Sequence, residues 1–308
     1  MLKHATVHSR SRCATYNKTP VKKLKLIFIT SMLLFSSYSN GQNSNSEMAL
    51  YNIGLGSIFS GVGALINKKP NEKWHKVLLK GMGQGALGGY LIYESKNLIG
   101  KIEQKQSLEY SWYGKFVNSA GTSIVENASS NRNFWEKWHL NIGFNRLEFY
   151  TNNKFKVKYK IMPVSLLLTA YSAVGNKFEL ERTLQTGEII FSSSDISGNG
   201  IPARGVANGN ILVLNSNSLN EFDLYSHEII HIYQYYDYNF VNTYLNKPFD
   251  NWESKSNTFD KINDLFYFDM QGAVLRPLYL LENGNRSCYY DNFFENEAGF
   301  YSNTINCD

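Results

Sequence analysis

Cysteine and proline are scarce in this chain: 3 Cys and 6 Pro among 308 residues. No CxxC pair exists, which argues against a cysteine-ligated metal site. No biased or repeated tract marks a collagen, a disulfide-dense toxin or a disordered chain. Acidic residues are missing altogether from residues 1–41, a stretch with seven Lys/Arg. Taking those seven from the 31 basic residues leaves 24 against 26 acidic ones, so the overall +5 becomes −2 for the remainder. A domain so close to neutrality has no electrostatic case for a polyanion, and nucleic acid is not expected as a partner. What the chain does have is apolar surface, 43% hydrophobic and 15% aromatic, enough for a sizeable core.

The basic excess reads as a targeting segment. Lys22, Lys23 and Lys25 precede an apolar run from Leu26 to Phe35 that is short for a membrane span, and small residues follow at Ser39 and Gly41. This pattern predicts a secretory signal peptide over residues 1–41, cut before Gln42. A buried N-terminal helix is the competing reading. The mature protein is then expected to be exported, periplasmic or extracellular, and without a lipoprotein cysteine at the cleavage region. In that setting Cys288 and Cys307 read as one disulfide, closing a loop of about 20 residues and contributing roughly 3 kcal/mol. Two free buried thiols are the alternative.

Residues 42–48 are polar. Ala49 to Asn67 then runs without a charge, with glycines at 54, 56, 61 and 63. A basic connector, Lys68 to Lys76, leads to Val77–Tyr93, with glycines at 81, 83, 85, 88 and 89. Glycine at such spacing lets helices approach closely. The 42–137 region therefore reads as glycine-rich and helical, with two possibilities for residues 49–94. One is a membrane-associated hairpin. The other, favoured by Lys80 and by the weakly apolar composition, is a helical pair packed on the main domain.

From His139 the hydrophobic period becomes two. Leu140, Ile142 and Phe144 alternate with polar residues, Asn152-Asn153 signals a turn, and Phe155, Val157, Tyr159 and Ile161 alternate with Lys154, Lys156, Lys158 and Lys160. The expected strand has a buried aromatic face and a solvated lysine face, the latter also open to an acidic partner. Phe178–Leu184 and Glu188–Ser192 read as further strands joined at Thr186-Gly187, giving an antiparallel sheet over about residues 138–193. Ser193–Asn210 reads as a loop and Ile211–Leu214 as a short strand. Ser218 with Glu221 fits a capping box that opens a helix patterned by Phe222, Tyr225, Ile229, Ile232 and Tyr236. Thr258–Phe268 and Asn292–Ser302 are later helical candidates, with Pro277 breaking the chain between them. The fold class is α+β: an antiparallel sheet against this helix, in a domain spanning 138–308.

That helix carries His227, Glu228 and His231 in the string His-Glu-Ile-Ile-His. Residues i and i+4 share a helical face, so both imidazoles can reach one ion, and Glu228 lies about 100° round, placed for a water on that ion. Two surface histidines on a helix are the bland alternative. The string, mid-helix after a short strand, resembles the zincin metallopeptidases. The resemblance covers about 30 residues and implies Zn²⁺ as cofactor, His227 and His231 as ligands and Glu228 as general base. It also implies an edge strand, here Ile211–Leu214, aligning a peptide or protein substrate. The metzincin variant wants Gly and His where Gln234 and Asp237 stand, although Asp237 remains a fallback ligand. Glu297, in Asn296-Glu297-Ala298, resembles the third ligand of gluzincins, with Glu295 or Asp291 orienting an imidazole. Tyr301 or another tyrosine would stabilise the oxyanion. The expected activity is that of an exported zinc metallopeptidase. A non-catalytic envelope protein with a structural or vestigial metal is the other reading.

Overall fold

Among the described residues the first helix is α1 (Asn45–Ile66), capped by Ser44, whose hydroxyl accepts a hydrogen bond from Glu47 N. The computed structural model describes residues 44–196, 203–282 and 288–306. The expected signal peptide, its cleavage point and Cys307 lie outside the described residues. Cys288 is disulfide-bonded, with its Sγ 3.9 Å from the carbonyl oxygen of Asn306.

The glycine-rich region forms α1, α2 (Trp74–Lys105) and α3 (Glu109–Ser129). Helicity thus reaches back into residues expected to be polar and loose. A Cβ on Gly85 would lie 2.2 Å from Gly56 O, and one on Gly89 would lie 2.3 Å from Asn52 O, so the two backbones touch. By length and composition α1 could cross a membrane, and 44% of its apolar window is buried within the protein. The segments expected as separate regions, 42–137 and 138–308, fall in one compact unit.

Two sheets follow. The first is antiparallel, in the order β1 (Lys137–Ile142), β2 (Asn145–Tyr150), β3 (Lys156–Ile161). Its polarity is the reverse of the expectation. Lys137, His139, Asn141, Arg146, Glu148 and Lys160 are buried, while Phe155, Val157 and Tyr159 are exposed. The polar face lies against α3, where Glu126 waits. Arg146 binds the Glu126 carboxylate at 2.8 Å and Glu148 at 2.8 Å, and Lys137 reaches Glu148 at 3.1 Å. Alternation shows that two faces differ; the charges on the neighbouring helix decide which one is covered.

The second sheet is mixed. Its order is β4 (Lys177–Phe178), β5 (Ile189–Ser193), β7 (Ile211–Asn215), β6 (Gly205–Asn208), with β5 and β7 parallel and the outer pairs antiparallel. Three expectations need correction here. Two helices now lie between β3 and β5: α4 (Pro163–Ala173), and α5 (Leu180–Thr186) where a strand was expected, capped by Gly187 at φ 73°. The expected loop 193–210 contains β6. Ile211–Leu214 is an interior strand rather than an edge.

Beyond it run α6 (Phe222–Asp237), α7 (Phe240–Thr243), α8 (Asn246–Glu253), α9 (Asn257–Leu265), α10 (Gly272–Glu282) and α11 (Phe293–Ser302). No capping box opens α6. Its N-cap is Glu221, whose carboxylate binds Arg204 at 2.6 Å, while Ser218 ends a preceding 3₁₀ turn. Pro277 lies inside α10 rather than breaking the chain. The core gathers on α6, with Ile229, Ile230, Ile232 and Tyr233 packed among Ile99 of α2, Leu212 of β7 and Ala298 of α11.

The buried charge cluster makes stability pH-dependent. Burial, reinforced by Arg146, holds His139 neutral with a pKa of about 3. Burial would raise Glu126, but the charges of Arg146 and Lys137 outweigh it and bring it to about 2. Below the ordinary histidine range the unfolded chain binds a proton that folded His139 refuses. Below the ordinary carboxylate range the same holds for Glu126. The stability these two groups contribute is therefore complete at neutral pH and falls on acidification from about pH 6.5 towards 2. Thermal unfolding followed by circular dichroism should show Tm dropping between pH 7 and pH 4, and dropping less in His139→Gln. An equal drop in that variant would refute the His139 assignment.

Candidate metal centre

Helix α6 is buried along nearly its whole length. It is held against α2 by Ser226, whose hydroxyl donates to Ile99 O at 3.2 Å and accepts from Glu103 N at 3.1 Å. Helix α11 starts at Asn292, whose side chain accepts from Phe294 N and Glu295 N. These two helices bring His227, His231 and Glu295 into one buried group that could hold a metal ion. His227 Nε2, His231 Nε2 and Glu295 Oε2 form a triangle with all three sides 3.2 Å. A tetrahedral ion with bonds of about 2.0–2.1 Å spaces its ligand atoms about 3.3 Å apart, so the donor set fits zinc in geometry and chemistry.

The outward nitrogens are held in place. His231 Nδ1 lies 2.8 Å from Gln234 Oε1, and because that oxygen only accepts, Nδ1 carries a proton and Nε2 is the nitrogen left to face the triangle. His227 Nδ1 lies 3.5 Å from Ser302 Oγ, whose own proton goes to Ala298 O. Tyr279 Oη donates to Glu295 Oε1 at 2.5 Å, leaving Oε2 for the triangle. Burial pulls the His231 imidazole down, but the Glu295 carboxylate outweighs it and holds the pKa up at about 9. Burial pushes Glu295 up, but the charge of His231 and the imidazole hydrogen bonds hold it well below the usual carboxylate range. The pocket attracts positive charge, and a proton competes with a metal ion for it.

Glu228 is buried on the same helix, its carboxyl raised above the ordinary value by desolvation, which the two imidazoles only partly offset. Its Oε2 has no hydrogen-bond partner within the protein. Strand β6 passes directly over it: a Cβ on Gly205 would lie 2.8 Å from Glu228 Oε1.

Glu297 and Asp237, the expected third ligand and its fallback, are not in the triangle. Both bind the fully buried Lys96 of α2, at 2.8 and 2.6 Å. Glu295, expected as an orienting partner, stands where the third ligand would. Asp291 instead accepts from Cys288 N at 3.2 Å in the turn before α11. Tyr301 is in the core beside Gly100, and the tyrosines at the Glu295 carboxylate are Tyr279 and Tyr289. Sequence reasoning missed Gly205, Tyr279 and Ser302. Only Gly205, beside the β-branched Val206, carried even a faint signal. His139 is enclosed by Thr122 and Ser123, and His75 lies edge-on to Trp74, so neither joins the group.

No family model matches this chain, and no curated protein or solved structure is detectably similar to it.

The geometry separates two acidic residues that sequence leaves equivalent. Calorimetric titration with Zn²⁺ should show one site per chain in the wild type and in Asp291→Ala, and none in Glu295→Ala. Stoichiometric tight binding by Glu295→Ala would remove that residue from the site.

Proposed function

We propose that the mature chain is an exported, zinc-dependent metallopeptidase of zincin type. The observation that supports this most directly is the triangle of two imidazole nitrogens and one carboxylate oxygen beside a buried, unpartnered Glu228 oxygen. Three protein donors leave a tetrahedral ion one open position, as catalytic zinc requires; structural zinc is usually closed by four donors, often cysteines. That difference favours catalysis over the envelope-protein reading.

Bound in this triangle, zinc would polarise a scissile carbonyl and acidify a water. Glu228 Oε2 is the atom that takes the water's proton and passes it to the leaving nitrogen. Desolvation raises the basicity of Glu228 and so suits it to that transfer. Glu295 Oε2 and the two Nε2 atoms hold the metal side, with their orientation fixed by Tyr279, Ser302 and Gln234. Gly205 keeps the space over Glu228 clear of a side chain. The strand that offers backbone to an extended peptide is β6, the outer strand of its sheet, in place of the interior β7.

Glu228→Gln should retain zinc by elemental analysis while losing roughly 100-fold or more in cleavage of an unfolded protein. His231→Ala should lose the metal itself. Survival of turnover in Glu228→Gln would overturn the proposed mechanism.

A further inference from the structure

A second set of buried polar groups lies directly behind the triangle, and it links the glycine-rich hairpin to one metal-facing imidazole. From His231 Nδ1 a hydrogen bond runs 2.8 Å to Gln234 Oε1. The amide's other end, Nε2, donates 2.9 Å to Glu297 Oε2 and 2.8 Å to Phe294 O. Glu297 Oε1 accepts from Lys96 Nζ at 2.8 Å, and Lys96 also donates to Asp237 Oδ2 at 2.6 Å and Asn52 Oδ1 at 3.0 Å. Asn52 Nδ2 returns to Glu297 Oε1 at 3.3 Å. Lys96, Gln234, Asp237, Glu297 and Asn52 are all buried, on four different helices: α1, α2, α6 and α11.

We propose that Gln234, Glu297 and Lys96 are positioning residues for the metal centre, fixing the tautomer and ring plane of His231 through this chain. The inference rests on the metal-site reading above. Each link permits one polarity. Lys96 has only protons to give, so Glu297 must accept. The Glu297 carboxylate and the Phe294 carbonyl, both acceptors, turn the Gln234 amide so that its NH₂ faces them, and its carbonyl then faces His231. That carbonyl keeps a proton on Nδ1 and leaves Nε2 as the nitrogen that can bind an ion at the triangle. The charge on Lys96 thus contributes, three hydrogen bonds away, to which nitrogen of His231 can bind an ion. Asp237 is the second counter-charge that lets a lysine with no solvent exposure remain an ammonium: burial opposes its charge, and the two carboxylates outweigh that penalty.

This gives the hairpin a role in the site. Asn52 and Lys96 are carried on helices whose close approach depends on Gly56, Gly85 and Gly89, so the glycines bring the ammonium to Glu297.

The test is a double-mutant cycle on zinc affinity, read by competition with a chromophoric chelator, using the full mature chain. Gln234→Met keeps the side chain's length but accepts no proton, and should weaken zinc binding by roughly 10–100-fold. Glu297→Gln should weaken it as well, though less, because the Gln234 amide then keeps only the Phe294 carbonyl to orient it. In the Gln234→Met background, Glu297→Gln should add less than about twofold, since the link is already cut. Nitrogen-15 spectra of the metal-free protein, recorded above the His231 pKa of about 9, should show the neutral ring protonated on Nδ1 in the wild type and as a tautomer mixture in Gln234→Met. Lys96→Met, if it folds, should reproduce the Glu297→Gln tautomer mixture; if it does not fold, the cycle alone decides. A Gln234→Met affinity within about twofold of wild type, or fully additive losses in the cycle, would overturn the proposal. Absence of zinc binding by the wild type would instead defeat the metal-site reading from which it starts.

Discussion

Three lone-pair atoms held 3.2 Å apart in a buried pocket repel one another unless positive charge sits among them. That constraint organises the middle of this protein. Each of the three needs a partner on its far side to keep it facing inward: Gln234 behind His231, Ser302 behind His227 and Tyr279 behind Glu295. The partners come from α6, α11 and α10, so the last two helices of the chain are fixed where they are by what α6 presents. A site assembled this way is preorganised, and the cost of orienting the ligands is met in folding rather than at the moment an ion arrives.

The same logic, charge first and packing around it, recurs in the antiparallel sheet. There Arg146 sits with no solvent exposure between Glu126 and Glu148, with the Tyr267 ring 3.7 Å from its guanidinium carbon. Lys96 is its counterpart behind the candidate metal site. In both places removing one charge would strand the others without water, which makes these groups a source of specificity for the native arrangement more than of net stability. Both clusters face helices of the glycine-rich region: α3 supplies Glu126 and α2 supplies Lys96. Residues 42–137 are thereby tied into the unit that carries the His-Glu-Ile-Ile-His helix.

How much of this was legible in the sequence depended on whether the signal was local. The capped, apolar-striped stretch after residue 218 announced a helix with two histidines on one face, because a 3.6-residue period needs nothing beyond the chain itself. Its cap was misassigned because Glu221 is drawn to Arg204, a contact from outside the helix. The strand at Lys156–Ile161 was legible as a strand, but alternation is symmetric. Of the alternating lysines only Lys160 is buried, while Lys154 and Lys156 stay exposed, and the aromatic side faces outward as well. The edge strand Gly205–Asn208 was hidden in a run of Gly, Asn and Arg with little β-propensity, and only pairing with Ile211–Asn215 makes it a strand.

The choice between Glu295 and Glu297 shows the limit most clearly. Two residues apart on a helix, their side chains diverge by about 200°, so one helix can aim only one of them at a given point. Sequence resemblance favoured Glu297 through the Asn-Glu-Ala string, but the rotational phase of α11 is a tertiary property. It is set by Asn292 at the N-cap, by Ala298 entering the core on α6, and above all by a buried ammonium. Lys96 lies on one side of α11 and the two imidazoles on the other, and each attracts a carboxylate. Glu297 satisfies the lysine and Glu295 the imidazoles, and exchanging them would require rotating the helix by half a turn and burying its apolar residues on the wrong face. The residue that selects the third donor therefore lies some 200 positions upstream, in a glycine-rich helix that no motif connects to the site.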